Sequence, residues 1–92
     1  MKYYVYIMGS EHGKAVYIGV TNDLLRRVGE HKGDIIEGFT KRYKCHRLLY
    51  YEEFEDIRYA IAREKQLKRW TRQKKEELIR TLNPDRNDIS GI

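Results

Sequence analysis

The sequence predicts an α+β domain, and three observations predict it. Two short runs of β-forming residues, joined by a turn-rich polar segment, open the chain. A third apolar run follows at 46–54. Three other segments space their apolar residues at the helical period. At 92 residues the chain has room for one small core. Residues 1–84 are expected to form the domain, and 85–92 a polar tail ordered only in part.

Residues 3–8 (YYVYIM) form the first strand and 15–20 (AVYIGV) the second, joined as an antiparallel hairpin through 9–14 (GSEHGK). Side chains alternate along strands. Val5 and Ile7 therefore oppose Tyr4 and Tyr6, while Val16 and Ile18 oppose Tyr17 and Gly19. Matching aliphatic faces gathers Tyr4, Tyr6 and Tyr17 into one phenolic patch, with Gly19 leaving space beside Tyr17. Thr21, Asn22 or Asp23 caps a first helix that runs to His31 or Lys32. Leu24, Val28 and His31 lie along one stripe of it, with Arg27 at the edge. Arg27 and His31, four apart, can point at one spot. Gly29 inside this helix costs about 1 kcal/mol relative to alanine, and Gly33 is its C-cap.

Residues 34–45 read as a polar loop with Gly38 and the basic residues Lys41, Arg42 and Lys44, lying over the site or its ligand. The strand at 46–54 (HRLLYYEEF) is apolar on both faces, hence central or covered. Glu55 or Asp56 caps a second helix, whose apolar side holds Ile57, Ala60, Ile61 and Leu67 with Glu64 among them. A carboxylate in that position is costly unless it is ion-paired, bends out to solvent or binds a metal. Trp70 and Thr71 mark a break. A third helix over 72–82 packs through Leu78, Ile79 and Leu82 and ends at Asn83-Pro84.

Composition narrows the function. No apolar run approaches the ~18 residues of a membrane span, and the start of the chain lacks the length of a signal peptide. The single cysteine, Cys45, excludes an internal disulfide and a cysteine-based zinc cage. A cytoplasmic location and a monomer are the default expectations. The net charge is +5, and the segment 63–80 alone carries all of it. A basic stripe on a neutral body, with eight tyrosines and Trp70 as stacking surfaces, points to a polyanionic partner, and Lys68, Arg69 and Arg72 are its central cations.

A tyrosine patch, an arginine with a histidine, one acid in an apolar stripe and a basic stripe form a set that suits phosphodiester hydrolysis. Water must lose a proton, and charge on the phosphoryl oxygens must be stabilised. The planar fork of arginine matches two phosphate oxygens. Glutamate suits Mg²⁺ or Mn²⁺. Histidine is a better base than tyrosine by its ordinary pKa.

These residues also resemble a family. YVY at 4–6 and YIG at 17–19 resemble the two halves of the GIY-YIG nuclease motif, and Arg27, His31 and Glu64 fall where that family places its arginine, helix histidine and metal-binding glutamate. YIGVTNDLLRRVGEHK with FEDIRYAIAREKQLKRW looks like the small stand-alone YhbQ-like group, over nearly the whole chain. The resemblance implies a three-stranded antiparallel sheet flanked by three helices. It implies one divalent ion on Glu64, Arg27 on the scissile phosphate, and Tyr17 as general base or water-orienter assisted by Tyr6 and His31. Tyr4 and Gly19 complete the motif. Three departures stand out: Tyr4 replaces the motif's first glycine, Val20 follows the YIG glycine where some repair nucleases carry lysine, and DRNDI after Asn83-Pro84 lacks an expected tryptophan. The late asparagine used by many members corresponds to Asn83 or Asn87. The implied activity is metal-dependent cleavage of nucleic acid, DNA before RNA. The alternative is a nucleic-acid-binding module with little or no catalysis of its own.

Overall fold

The computed structural model describes residues 1–11 and 15–92; the middle of the expected hairpin turn, 12–14, lies outside the described residues. Tyr3–Gly9 (β1) pairs antiparallel with Val16–Thr21 (β2) on one side and with Arg47–Phe54 (β3) on the other. The sheet order is thus β2-β1-β3, the three-stranded antiparallel sheet expected. Alternation decides which face each residue serves. Val5 meets Val20 and Ile7 meets Ile18 across the β1–β2 ladder, so the aliphatic residues do share a face.

Helix α1, Leu24–Lys32, is capped by Asp23, whose side chain accepts from the Arg26 N–H, and it continues through Gly29 to a C-cap at Gly33. Asp56 caps α3, Ile57–Lys68, and Thr71 caps α4, Arg72–Leu82, each through its own side chain. The loop at 34–45 is not wholly irregular. It holds one further helical turn, α2, Phe39–Arg42, so among the described residues four helices flank the sheet rather than three. Four residues carry too little periodicity to announce a helix.

The sheet is covered on both sides. Val5, Ile7, Ile18 and Leu49 pack beneath Ala60 and Leu67 of α3 and Ile79 of α4. On the opposite face Tyr6, Met8 and Leu48 pack with Val28 of α1 and Cys45. Leu82, expected in the core, is about half exposed, because the chain leaves α4 toward β3 at that point.

β3 is an edge strand, covered rather than central. A register shift between Ile7 and Met8 leaves Leu49 as an extra residue, and Leu49 and Tyr50 both join the core under α3 while Leu48 serves the other face. The outer edge of β3 is closed by the C-terminal segment: the Ile89 N–H donates to the Leu48 carbonyl at 2.9 Å, and Asp88 Oδ1 accepts from the Leu48 N–H at 3.1 Å. Asp88 also pairs with Lys32 of α1. Lys32 and the backbone donors hold the Asp88 carboxyl down at about 2 despite its burial. Residues 85–92, expected to be ordered only in part, are instead a docked strap.

Candidate active site

The face of the sheet under α1 carries the expected tyrosines. The register sets Tyr6 opposite Gly19 and Met8 opposite Tyr17, so Tyr6 and Tyr17 are diagonal neighbours with ring centroids 6.3 Å apart. A Cβ at position 19 would stand 2.5 Å from the Tyr6 hydroxyl oxygen. Glycine is required there because the Tyr6 ring crosses over it. The gap expected beside Tyr17 is therefore filled by the Tyr6 phenol. Tyr4 does not join the patch; it meets Tyr51 of β3 edge-on at 6.4 Å.

Behind Tyr6 lies a hydrogen-bonded chain. The Tyr6 hydroxyl is 2.9 Å from His31 Nε2, and His31 Nδ1 is 3.0 Å from Thr40 Oγ1 of α2. The Arg27 guanidinium, which has only donors to offer, lies near enough to act electrostatically on the Tyr6 hydroxyl. A neutral imidazole donates from one nitrogen and accepts at the other, so the proton order along Tyr6, His31 and Thr40 runs in one direction. Burial, and next the Arg27 charge, lower the His31 pKa to about 4, so the ring is neutral at pH 7. Burial pushes the Tyr6 phenol up to about 12 against the pull of Arg27. Tyr6 and His31 are each 1% exposed. The sequence placed His31 beside Arg27 as the better base by pKa. The structure corrects this: His31 lies behind Tyr6 with both nitrogens engaged, and it orients rather than meets solvent.

Tyr17 and Arg27 reach the surface. Arg27, its side chain 36% exposed, pairs with Glu30 at 3.2 Å. It lines a cleft of about 310 Å³ with Val20, Thr21, Ile57 and Ile61. Tyr17 lines a second cleft, about 260 Å³, with Phe39, Lys68 and Lys75. Helix α3 borders both, through Ile57 and Ile61 in the first and Lys68 in the second. Glu64 falls three residues after Ile61 and four before Lys68, on the same flank of α3 and between the two clefts.

Glu64 is ion-paired, but with Lys68 at 3.0 Å; the Glu64 side chain is 16% exposed and that of Lys68 is 52% exposed. An arginine partner, one of the arrangements the sequence allowed for Glu64, is found instead at Glu52. Arg63 Nε and Nη2 each donate to Glu52 at 2.9 Å, and the Tyr50 hydroxyl donates to it at 2.5 Å. Among the described residues no three or more His, Cys, Asp or Glu side chains are grouped to hold a metal ion. A single half-buried carboxylate such as Glu64 fits a hard cation that keeps most of its water, the coordination habit of Mg²⁺.

The other expected residues are spread over the surface around these clefts. Lys68 lies at the Tyr17 cleft. Arg69 lines a separate groove with Lys65 and Trp70. Arg72 pairs with Glu76 at 3.6 Å. On α2, Lys41 pairs with Glu37 at 2.8 Å, and Arg42 stands 5.7 Å from the Tyr43 ring. Asn83 is committed elsewhere. Its side-chain amide donates to the carbonyls of Leu49 and Asn87, and its Oδ1 accepts from the Asn87 N–H, which fastens the strap to β3. Thr40 was not legible as a site residue, since nothing local marks a loop threonine as the second partner of a histidine. Lys75 was visible only as one member of the basic stripe.

Comparison with known proteins agrees on family and fold. The GIY-YIG catalytic domain family matches residues 2–77. A UPF0213 protein of Clostridium perfringens is 36% identical over 76 residues, covering 83% of this chain and 81% of the relative. One of Haloquadratum walsbyi is 34% identical over 76 residues, covering 83% and 84%. The solution NMR structure of a UPF0213 protein from Bacillus halodurans superposes with a TM-score of 0.60 at 29% identity, over 92% of this chain and 89% of that one.

Proposed function

The chain belongs to the GIY-YIG family, a nuclease superfamily, in its UPF0213 or YhbQ-like group, and from that membership we propose that it hydrolyses phosphodiester bonds of nucleic acid with the help of one divalent ion. The observation that carries the reading is the placement of Tyr17 and Arg27 at the surface, backed by the buried Tyr6–His31–Thr40 chain, with Glu64 on the flank of α3 that borders both clefts.

Each residue has a part. Arg27, held by Glu30, binds the scissile phosphate through its fork. The Tyr17 hydroxyl orients the attacking water, whose proton passes to solvent. The water oxygen bonds to phosphorus, the bond from phosphorus to the leaving sugar oxygen breaks, and that oxygen takes a proton from solvent. Lys68 and Lys75 bring two ammonium groups to the cleft that Tyr17 lines, which favours negative charge there. They supply, from α3 and α4, positive charge that Val20 does not. A Mg²⁺ or Mn²⁺ ion on Glu64, when bound, stabilises charge on the phosphoryl oxygens. His31, itself bonded to Thr40, fixes the rotamer of Tyr6.

The test is a cleavage panel: plasmid, branched duplex, single-stranded DNA and RNA, each with Mg²⁺ or Mn²⁺. Metal-dependent product that disappears in Glu64→Gln and Arg27→Ala is the expected result. Absence of product from every substrate would leave a binding module in place of a nuclease. Metal-dependent product from Glu64→Gln at the wild-type rate would remove Glu64 from the site.

A further inference from the structure

Helix α2 does more than supply Thr40 to His31. Its single turn buries Thr40 inward and turns Phe39 and Tyr43 outward, 44% and 47% exposed. These rings cover no core of this chain, although exposing them is unfavourable. They are not scattered. Phe39 stacks on Tyr17 with centroids 6.5 Å apart and planes 28° from parallel, and Tyr43 lies 4.7 Å from Phe39. Arg42 continues the series over the Tyr43 ring. A ladder of three aromatic rings and a guanidinium therefore leads away from the surface tyrosine of the site. Cations lie along it: Lys68 and Lys75 at the Tyr17 end, with Arg42 and exposed Lys44 at the other.

We propose that the Phe39–Tyr43 ladder is a stacking platform for unpaired nucleobases, so that the preferred substrate carries a single-stranded stretch beside the scissile phosphate. Exposed π-faces with cations alongside are what single strands need and duplexes cannot use, because paired bases keep their faces stacked on one another. The charge fits a polyanion. The platform rests on the nuclease reading only for the position of the scissile bond; the stacking surface exists whether or not the chain cuts.

The test is binding without metal, in EDTA, so that cleavage plays no part. The full-length protein is titrated with a fluorescent single-stranded oligonucleotide and with a blunt duplex of the same sequence. Tyr43→Ala and Phe39→Ala each weaken single-strand binding at least about fivefold, the range of one lost stacking contact. Duplex binding stays within twofold, and the salt slope is unchanged because no phosphate contact is removed. Tyr43→Trp restores the affinity, which a merely misfolded loop would not allow, and thermal melts of all variants confirm folding. RNA and DNA strands run in parallel separate the two sugars. Equal losses on strand and duplex, or no loss on either, would overturn the platform. So would sedimentation showing that Tyr43→Ala only dissolves a dimer while strand affinity holds. Glu64-dependent cleavage with unaffected strand binding would retain the nuclease and remove the platform. Strand binding lost in Tyr43→Ala from a protein that never cleaves would do the reverse.

Discussion

Two glutamates face opposite fates on this scaffold. Glu52 of β3 is gripped by both donor arms of Arg63 and by the Tyr50 hydroxyl, and these bonds outweigh its burial to hold its carboxyl below the usual range. Glu64, one residue after that arginine on α3, has an exposed lysine for an ion-pair partner. Both carboxylates are partly buried, so burial does not distinguish them. The partners do. A planar guanidinium with a phenol consumes the acceptor positions of Glu52, while a flexible ammonium on the same helix yields to a stronger cation. On this account Glu52 holds β3 to α3, and Glu64 is the acid left for chemistry.

The largest effect that can break the comparison is on rate. Glu64→Gln is expected to lower cleavage by about 10²–10³-fold, the scale of one lost charge-stabilising element. Its stability should stay within about 0.5 kcal/mol, since an i,i+4 pair to an exposed lysine contributes little. Rate assays beside urea melts check both halves. A large loss of stability in Glu64→Gln would make it a second structural glutamate.

Next in size is the converse. Arg63→Met strands Glu52 and Tyr50 at the β3–α3 seam and is expected to cost about 1–3 kcal/mol. Cleavage per folded molecule is unchanged. A melt that does not move would mean the Glu52 cluster is ornamental.

How far the sequence revealed these elements follows from the range of each signal. The strands, caps and the stripe of Val28 and His31 are written in local alternation and spacing, and the structure keeps them. The suspicion attached to Glu64 came from local pattern, and its partner Lys68 also lies at the local i,i+4 spacing, whereas the choice by Arg63 of a glutamate eleven positions earlier could not be read that way. Gly19 was singled out for the wrong reason: its contact is with a ring on the neighbouring strand. The strap at 85–92 was unreadable for a similar cause. Asn83 and Asp88 look like ordinary polar residues until β3 presents its free edge to them.

A third prediction separates the two regions by pH. His31 has a folded pKa of about 4 against an ordinary 6.5, so the folded state resists protonation. Its contribution is fully present above about 6.5 and is lost as pH falls from there toward about 4. His46 has the opposite sign. Hydrogen bonds to Asp34 and then Glu11 raise its pKa, so its contribution is present below the ordinary value and fades as pH rises through the raised one. Melting curves against pH are expected to show a steeper acid limb in wild type than in His31→Gln. An acid limb that His31→Gln leaves unaltered would mean the ring is not held neutral.

The smallest effect concerns Lys68. Lys68→Ala removes the cation competing for Glu64, and Mn²⁺ affinity is expected to rise a few-fold with almost no change in stability. Calorimetric titration reads both the affinity and its loss in Glu64→Gln.

The most direct test of the difference between the glutamates is Mn²⁺ titration of ¹⁵N-labelled protein, following paramagnetic broadening of amide signals. The account predicts that signals around residues 17, 27 and 64 broaden first, that those beside Glu52 persist, and that Glu64→Gln abolishes the early set. Broadening centred on residue 52, or an early set that survives Glu64→Gln, would contradict it.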